Sequence, residues 1–347
     1  MGSPPFPALP RKPQTHGAST PRYTSPMQSV SIIATVLNEV QEIGRLVPSL
    51  LAQIPPPAEV IIMDGGSTDG TWEWLVEARK THPTLRPIRD ESCNLKSCPG
   101  PISRGRNVAI AAASSPFIAC TDAGCTYPPE WLARIGAPIV AGAAEYALGG
   151  ACLDPVDPTL WDIVSAPFLG VKLSESTPSK SCTARSMAFT KDLWQRISGF
   201  PERVFFGEDT LFDLEARRLT KPAFVERAKA LYRPQLSFRP ACRQLGSYAL
   251  SDGILGVRPA RLYRNAVRCI LQLLAVLSLP WSLLPLLAIL VMQGWFAFHP
   301  DWRQLWRYGP RAVLARLLFS VLVPWIVAIN RMRGSLTKRS PVNRQNL

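Results

Sequence analysis

Two short, apolar, β-branched runs constrain the fold of this chain most strongly. Residues 31–37 (SIIATVL) and 59–63 (EVIIM) have the length of buried strands. A helical stretch over about residues 39–53 separates them and is ended by the triple proline at 55–57. A third apolar run follows at 116–121. Strands that are apolar throughout, and that are separated by helices along the chain, are typical of a parallel sheet covered on both faces. This pattern predicts the α/β fold class.

Weaker patterns predict the remaining elements. A third βα unit is expected near residues 85–89, and an alanine-rich helix over 103–113. Beyond residue 145 we predict strands at 146–152 and 183–189 and helices at 191–198, 209–219 and 242–252.

Polar side chains follow three of the predicted strands. Asn38 and Glu39 follow the first strand, Asp64 the second, and Asp122 the strand at 116–121. Because ligands bind at the carboxyl ends of the strands in parallel α/β sheets, we expect these residues to form one site.

The segment 64–70 (DGGSTDG) follows the second strand directly. Its first aspartate can face a nucleobase or ribose, and Ser67 and Thr68 can cap the next helix. An ordinary glycine-rich turn is the alternative explanation of this segment. Arg106 stands near a helix start, where a guanidinium suits a diphosphate, although a solvated surface arginine is the alternative.

Two adjacent carboxylates, Glu208 and Asp209, begin another predicted helix. A helix N-terminus favours anions, so a simple helix cap is one explanation. The chain has three histidines, His16, His82 and His299, and none lies in a suggestive motif. A carboxylate is therefore the better candidate for a general base.

These motifs together resemble the family 2 glycosyltransferases of the GT-A fold, of the membrane-anchored bacterial type. The resemblance lies in residues 31–39 (SIIATVLNE), 59–71 (EVIIMDGGSTDGT), 100–110 (GPISRGRNVAI) and 207–213 (GEDTLFD), and extends over roughly 30–254. It implies a nucleotide-sugar site, with Asp64 at the nucleobase. The residues implied for that site are Asn38, Glu39, Asp64, Asp69, Arg106, Asn107 and Asp122.

The segment 121–125 (TDAGC) stands where the family keeps an Asp-x-Asp metal motif. Asp122 is present, but Gly124 occupies the second position. The resemblance implies Mg²⁺ or Mn²⁺ at Asp122, since such ions take few protein ligands and are completed by phosphate and water.

By the same resemblance Asp209 is the catalytic base, Glu208 is its neighbour or alternate, and Arg185 lies on the acceptor side. The implied activity is inverting transfer of a sugar from a nucleotide-diphosphate sugar to a hydroxyl acceptor. A sugar-phosphate nucleotidyltransferase is the alternative, but it would carry a glycine-rich basic loop where this chain has Asn38, Glu39 and Val40. A catalytically degenerate membrane scaffold of the same fold is a second alternative.

Basic residues concentrate at the C-terminal end. Thirteen of the 39 Lys and Arg residues, but only one of the 25 acids, lie beyond residue 254, beside the longest apolar runs. This pattern fits the anionic lipids of a membrane and argues against nucleic acid as a partner. We expect a disordered proline-rich tail at 1–28, a catalytic domain at 29–254 and a basic membrane anchor at 255–347.

The anchor contains two candidate spans, at about 269–298 and 312–330. A buried helical core is the alternative for both. Arg316 and Pro324 interrupt the second, for which an interfacial helix also fits. Basic clusters outside the two spans predict a hairpin with both ends in the cytoplasm, although arginines in the loop between the spans weaken that topology.

The predicted location is thus the cytoplasmic membrane, with the catalytic domain facing the cytoplasm. The acceptor is expected to be lipid-linked or an envelope glycan. No secretory signal is recognised. Eight cysteines without a CxxC pair are expected to be reduced thiols and not a zinc site.

Overall fold

A computed structural model of the protein describes residues 29–173, 183–285, 287–289, 291–292 and 302–338. The tail predicted at 1–28 lies outside these residues. The chain divides into two compact units. The first contains the described residues up to Asp154 together with 183–232, and the second contains 155–173 and the residues from Arg233 onward. The first unit thus ends earlier than residue 254, where the sequence placed the domain boundary.

The first unit is built on one eight-stranded sheet. Its strands are β1 (Val30–Val36), β2 (Glu59–Asp64), β3 (Leu85–Arg89), β4 (Phe117–Cys120), β5 (Cys125–Thr126), β6 (Tyr146–Leu153), β7 (Met187–Thr190) and β8 (Ala223–Tyr232). Their order is β3-β2-β1-β4-β7-β6-β8-β5. Strands β1 to β4 are mutually parallel, whereas β7 runs antiparallel between β4 and β6. The predicted α/β class with a parallel core is confirmed.

The described helices are α1 (Val40–Leu51), α2 (Thr71–Thr81), α3 (Pro101–Ala112), α4 (Trp131–Val140), α5 (Leu160–Ser165), α6 (Lys191–Arg196), α7 (Glu208–Leu219), α8 (Phe238–Leu255), α9 (Pro259–Leu277), α10 (Trp302–Leu305) and α11 (Pro310–Lys338). Those of the first unit lie on both faces of the sheet. On one face, α1, α2 and α4 pack on one set of alternate β1 side chains, among them Ile32 and Ala34. On the other, α3, α6 and α7 pack on the opposite set, which includes Ile33. Burial of both faces explains the continuous apolar runs.

Some local predictions differ from the structure. Residues 184–186 form a short 3-10 turn, so the strand predicted at 183–189 begins only at Met187. The sequence patterns predicted neither α4 nor β8. Charged side chains interrupt the apolar character of β8, at Glu226, Arg227 and Lys229. A strand with that composition carries little hydrophobic signal, and its pairing with β6 places it in the sheet.

The second unit is helical. Its α5 begins with a capping box, in which Asp162 N–H donates to Thr159 Oγ1 at 3.0 Å and Thr159 N–H donates to Asp162 Oδ2 at 2.9 Å. The long α11 packs against α5, α8 and α9. Pro324 lies inside α11 without ending it.

Within the described residues one helix, Pro310–Thr337, is long and apolar enough to cross a membrane. It contains the second predicted span. The first predicted span, 269–298, is not one continuous helix: α9 ends at Leu277, and residues 278–283 are non-helical. Pro280 in this break has no N–H to continue the helix. Residues 293–301 lie outside the description.

Candidate active site

The carboxyl ends of the parallel strands meet at one edge of the sheet. Val36 at the end of β1 lies beside Asp64 at the end of β2, which in turn lies beside Arg89 at the end of β3. Asp122 lies two residues after β4, whose Cys120 is in register with Ile33 of β1. The polar residues that were predicted to meet at this edge are therefore brought together there.

Asn38 and Asp69 join the two loops of this edge. Asn38 adopts a left-handed backbone with φ of 57°, and its Oδ1 accepts from Thr68 N–H at 2.9 Å. Asp69 Oδ2 accepts from Val40 N–H at 3.1 Å. Burial raises the pKa of Glu39 between the loops, and the charges of Glu42 and Asp69 add to the effect. The side chains of Asn38 and Asp69 thus give the edge its shape.

Asp64 is fully buried, yet only one of its two carboxylate oxygens accepts hydrogen bonds from the described residues. Its Oδ1 accepts from the N–H groups of Gly66 and Ser67, at 2.8 and 2.9 Å. Its Oδ2 is buried and has no hydrogen-bond partner among the described residues. A buried acceptor without a donor is unfavourable, so this oxygen is suited to an N–H group brought by a ligand.

Arg89 is a site residue that the sequence analysis missed. Its guanidinium lies 5.6 Å from the centroid of the Trp72 ring, and its Nη2 donates to Ser67 O at 3.3 Å. The signal for it was available, because it is the last residue of a parallel strand, but the strand itself was only weakly predicted. Arg89 places a positive charge beside the loop that begins at Asp64.

Arg106 connects two parts of the site that are far apart in sequence. Its side chain is only 2% exposed; Nη2 donates to Asp122 Oδ1 at 2.6 Å and Nη1 to Glu208 Oε1 at 2.8 Å. The guanidinium also lies 5.2 Å from the centroid of the Phe200 ring. The arginine predicted to bind a diphosphate is therefore ion-paired on both of its terminal nitrogens.

Arg106 and the carboxylates around it shift one another's pKa values. Burial alone would lower the pKa of Arg106, but the charges of Asp122, Glu208 and Asp209 outweigh it, so the pKa lies well above its ordinary value. Burial raises the pKa of Glu208; the like charges of Asp209 and Asp122 add to this, while Arg106 opposes it. One buried cation thus offsets only part of the negative charge of three carboxylates.

Asp209 lies in the first turn of α7, directly after Glu208. Its Oδ1 accepts from Thr210 N–H at 2.6 Å and from Thr210 Oγ1 at 3.3 Å. Gly207 precedes the helix with φ of 79°. The positive end of the helix dipole of α7 therefore lies beside both acids.

Tyr127 links Asp122 to Arg185 and was not predicted. Its buried hydroxyl accepts from Asp122 N–H at 3.2 Å and donates to Arg185 O at 2.8 Å. Burial raises the pKa of Tyr127 well above its ordinary value, which keeps the hydroxyl protonated as a donor. The guanidinium of Arg185 lies 4.2 Å from the centroid of the Tyr232 ring. Arg185 is therefore positioned close to Asp122 through one hydroxyl.

Asn107 holds a loop of the first unit together. Its Nδ2 donates to Phe200 O and to Glu202 Oε1, both at 2.9 Å, while its Oδ1 accepts from Phe200 N–H at 2.8 Å and from Trp194 Nε1 at 3.0 Å. All hydrogen-bonding positions of this amide are used by protein groups. The amide of Asn107, predicted to lie at the nucleotide sugar, therefore contacts the loop at Phe200 and Glu202 and the side chain of Trp194.

The donor set for a divalent cation consists of Asp122. Among the described residues, no group of three or more His, Cys, Asp or Glu side chains could hold a metal ion. Gly124, at the position of the second family carboxylate, adopts φ of 72°, a left-handed conformation that favours glycine. The Asp122 side chain is 27% exposed. This donor set fits a cation that takes one carboxylate and completes its shell with phosphate and water.

The cysteines play no visible part in this site. The seven described cysteines are free, and Cys182 lies outside the described residues. Burial raises the pKa of Cys120 and that of Cys125 to about 12, so neither forms a thiolate at neutral pH.

Comparison with known proteins agrees with this geometry. Residues 31–192 match the family model for Glycosyl transferase family 2. The chain is 26% identical over 199 residues to Glycosyltransferase AglE of Haloferax volcanii, across 54% of this chain and 60% of the relative. It is 30% identical over 212 residues to Succinoglycan biosynthesis protein ExoU of Rhizobium meliloti, across 56% of this chain and 58% of the relative. The chain thus spans about 60% of the length of these relatives.

A solved structure shares the fold. Mannosyltransferase PcManGT from Pyrobaculum calidifontis, in complex with GDP-Man and Mn²⁺, superposes with a TM-score of 0.55 at 17% identity, over 93% of this chain and 92% of that one. Together with the family match, this likeness confirms the predicted GT-A fold.

Proposed function

We propose that this chain, whose residues 31–192 form a glycosyl transferase family 2 domain, is an inverting glycosyltransferase that uses a nucleoside-diphosphate sugar. The observation that carries the proposal is the buried bridge from Asp122 through Arg106 to Glu208. In this bridge the carboxylate that would hold a divalent cation for the donor phosphates lies near the acids at the start of α7. A direct displacement needs the binding site of the donor phosphates and the general base to lie close together.

The nucleobase of the donor is proposed to lie against Asp64. The unpartnered, buried Oδ2 accepts an N–H group of the base, while Oδ1 is held by the turn. Arg89 adds a positive charge at the same loop. GDP-Man in PcManGT is an example of a donor of this class.

Asp209 is the proposed general base. It removes the proton of the acceptor hydroxyl as that oxygen bonds to the anomeric carbon, and the bond from this carbon to the diphosphate oxygen breaks. The nucleoside diphosphate leaves with the bonding electrons. Attack opposite to the leaving group inverts the configuration. Arg106 keeps Glu208 and Asp122 in place during the displacement and offsets their charge.

Asp122 would hold Mg²⁺ or Mn²⁺. Such an ion supplies charge neutralisation to the donor diphosphate when bound.

Membrane association completes the proposal. The C-terminal segment contains the long apolar helix and thirteen of the basic residues of the chain. We place the protein at the cytoplasmic membrane with the first unit facing the cytoplasm, and the acceptor is a lipid-linked or envelope glycan hydroxyl. AglE and ExoU, by their names, are a glycosyltransferase and a succinoglycan biosynthesis protein.

The test uses the full chain in detergent or liposomes. It is incubated with a panel of nucleoside-diphosphate sugars, Mg²⁺ or Mn²⁺ and a membrane extract that contains acceptors, and release of nucleoside diphosphate is measured. Release with a glycosylated product of inverted configuration supports the proposal. In a parallel incubation with nucleoside triphosphates and sugar phosphates, release of pyrophosphate identifies a nucleotidyltransferase instead. Donor binding without turnover identifies a scaffold.

Two variants make this test specific for the base. Asp209→Asn should retain donor binding and lose turnover. Asp192→Asn is its matched control, because Asp192 also lies in the first turn of a helix but is 70% exposed and paired with Arg196. Equal activity of Asp209→Asn and the wild type would contradict the assignment of the base.

A further inference from the structure

The exposed apolar side chains of α11 form one stripe along its whole length. They are Leu314, Leu318, Leu322, Ile329, Met332 and Leu336. At 3.6 residues per turn, these positions fall within about 80° of the helix circumference, over about 33 Å. A helix that crosses lipid alone would expose apolar side chains on all sides, whereas a stripe of this kind is typical of a helix with one apolar face.

The opposite side of α11 is covered by α8. A Cβ at Gly253 would lie 2.2 Å from Arg331 O, and one at Gly334 would lie 2.2 Å from Leu250 O, so the two backbones are in direct contact there. Toward the other end of α8, the Phe238 ring lies 6.4 Å from the Phe319 ring. Helix α8 therefore accompanies α11 from about residue 319 to residue 334.

This companion helix carries exposed charges. Arg239 and Arg243 of α8 are both exposed to solvent. If α11 crossed the bilayer, these arginines would be carried into the hydrocarbon region together with it. Charged side chains there are strongly unfavourable unless they face protein or water. The pairing of α8 with α11 is therefore incompatible with a simple span.

The buried side of α11 contains polar groups inside the candidate span. Arg316 is completely buried and donates a hydrogen bond to Ile163 O, and Ser320 is also completely buried. They face the protein together with apolar side chains such as Phe319 and Val323.

Helix α9 lies beside α11 but has no single apolar stripe. Its exposed large apolar side chains lie on more than half of the helix circumference: Tyr263, Val267, Ile270, Leu271, Leu273, Leu274, Val276 and Leu277. Its buried side contacts α11: Gln272 Nε2 donates to Val321 O at 3.3 Å, and Trp325 Nε1 donates to Gln272 Oε1 at 2.5 Å. Arg264 on the same helix is exposed, and so is Arg258 directly before it.

We infer that α11 lies in the plane of an anionic membrane surface, with its stripe among the lipids, and that it does not cross the bilayer. The excess of basic residues in this segment selects anionic headgroups as the contact. The inference rests on the membrane association proposed above and replaces the second span of the predicted hairpin by an interfacial helix.

The depth of each stripe position tests the inference. Because the chain has eight cysteines, a nitroxide amino acid is introduced genetically, one position at a time, at Leu314, Leu318, Leu322, Ile329, Met332 and Leu336 of the full chain. Each protein is reconstituted with liposomes of equal parts phosphatidylcholine and phosphatidylglycerol. Collision of the label with oxygen and with a water-soluble nickel complex gives its depth. Labels at Arg239 and Arg243 serve as controls on α8.

An in-plane helix gives a similar depth at all six positions, about 5–10 Å below the phosphates, and water exposure at both controls. A profile that is deepest, at about 15 Å, in the middle of α11 and shallow at its ends would overturn the in-plane arrangement while leaving membrane association intact. Labels in water on a chain that does not float with the liposomes would overturn the membrane association as well. Labels shielded from both oxygen and the nickel complex would identify a second protein surface as the contact and overturn the lipid contact. Equal flotation with liposomes of pure phosphatidylcholine would overturn the role of anionic lipid.

Discussion

Nη2 of Arg106 lies 2.6 Å from Oδ1 of Asp122, which makes a fully buried guanidinium the immediate neighbour of the carboxylate after β4. The other terminal nitrogen reaches Glu208 at 2.8 Å. A single side chain on α3 therefore sets the distance between two carboxylates from different elements. Each member of this arrangement depends on the others, because a buried charge that loses its partner is strongly unfavourable.

We expect Arg106→Lys to lower kcat by about 100-fold or more, since an ammonium lacks the two fixed terminal nitrogens that contact the two carboxylates, and small misplacements at a reacting centre have effects of this size. Steady-state kinetics, with a thermal melt to confirm folding, provide the measurement. Arg104→Lys is the control. Arg104 lies on the same helix, but its side chain is 40% exposed and its ion pair with Glu202 is long, at 3.6 Å. A kcat within a factor of two of wild type for Arg106→Lys would contradict the bridging role (about 0.4 kcal/mol by the transition-state relation).

Asp64→Asn is expected to weaken binding of nucleoside diphosphates by about 10- to 100-fold, with a much smaller change in kcat. The amide can still accept from the Gly66 and Ser67 N–H groups, but it turns an NH₂ toward the place of the buried Oδ2. Calorimetric titration with UDP and with GDP measures the loss. Asp192→Asn again serves as control, and unchanged affinity for every nucleotide would exclude Asp64 from the nucleobase site.

Tyr127→Phe tests whether one hydroxyl positions Asp122. Removing it leaves Asp122 N–H and Arg185 O without this partner. We expect a loss of about 1–3 kcal/mol in the free energy of unfolding, together with a higher Mg²⁺ or Mn²⁺ concentration for half-maximal activity.

Tyr146→Phe is the matched control for that variant. Its buried hydroxyl lies 3.2 Å from Asp213 Oδ1, away from Asp122, so it should lose stability without a change in metal dependence. If both variants shift the metal titration equally, Tyr127 has only a structural role.

Glu59 should govern acid stability without affecting catalysis. It begins β2, at the edge opposite the site, and accepts from Ser31 Oγ at 2.8 Å, Ser114 N–H at 2.7 Å and Arg86 Nη1 at 2.9 Å. Burial opposes ionisation, but the hydrogen bonds from Ser114, Ser31 and Arg86 outweigh it and lower the pKa of Glu59 from 4.5 to about 2.

Because the folded pKa is lowered, this stabilisation is fully present above pH 4.5 and is lost as the pH falls toward 2. We expect Glu59→Gln to be less stable than wild type by up to about 3 kcal/mol at pH 7, with a difference that shrinks between pH 4.5 and 2. Urea unfolding across this pH range measures it, with the exposed Glu77→Gln as control. A difference independent of pH would show that the carboxylate charge is not responsible.

The sequence alone determined the strand-end residues of the site. Short apolar runs predict parallel strands, and parallel strands bring their carboxyl ends to one edge, so Asn38, Glu39, Asp64 and Asp122 could be grouped without coordinates. The α/β class followed from the same runs. These are local signals, because each depends on residues that are neighbours in the chain.

Only the tertiary structure decided what the side chains on helices and in loops contact. Arg106 looked like a phosphate ligand, but packing of α3 beside α7 gives it two carboxylates, and Asn107 next to it faces a protein loop instead. Tyr127 meets Arg185 across 58 residues. The apolar residues of α11, taken from the sequence alone, fit a transmembrane span and an interfacial helix equally well. Its companion α8 favours the in-plane arrangement proposed above, because hydropathy measures how apolar a segment is, whereas packing decides which of its sides is exposed.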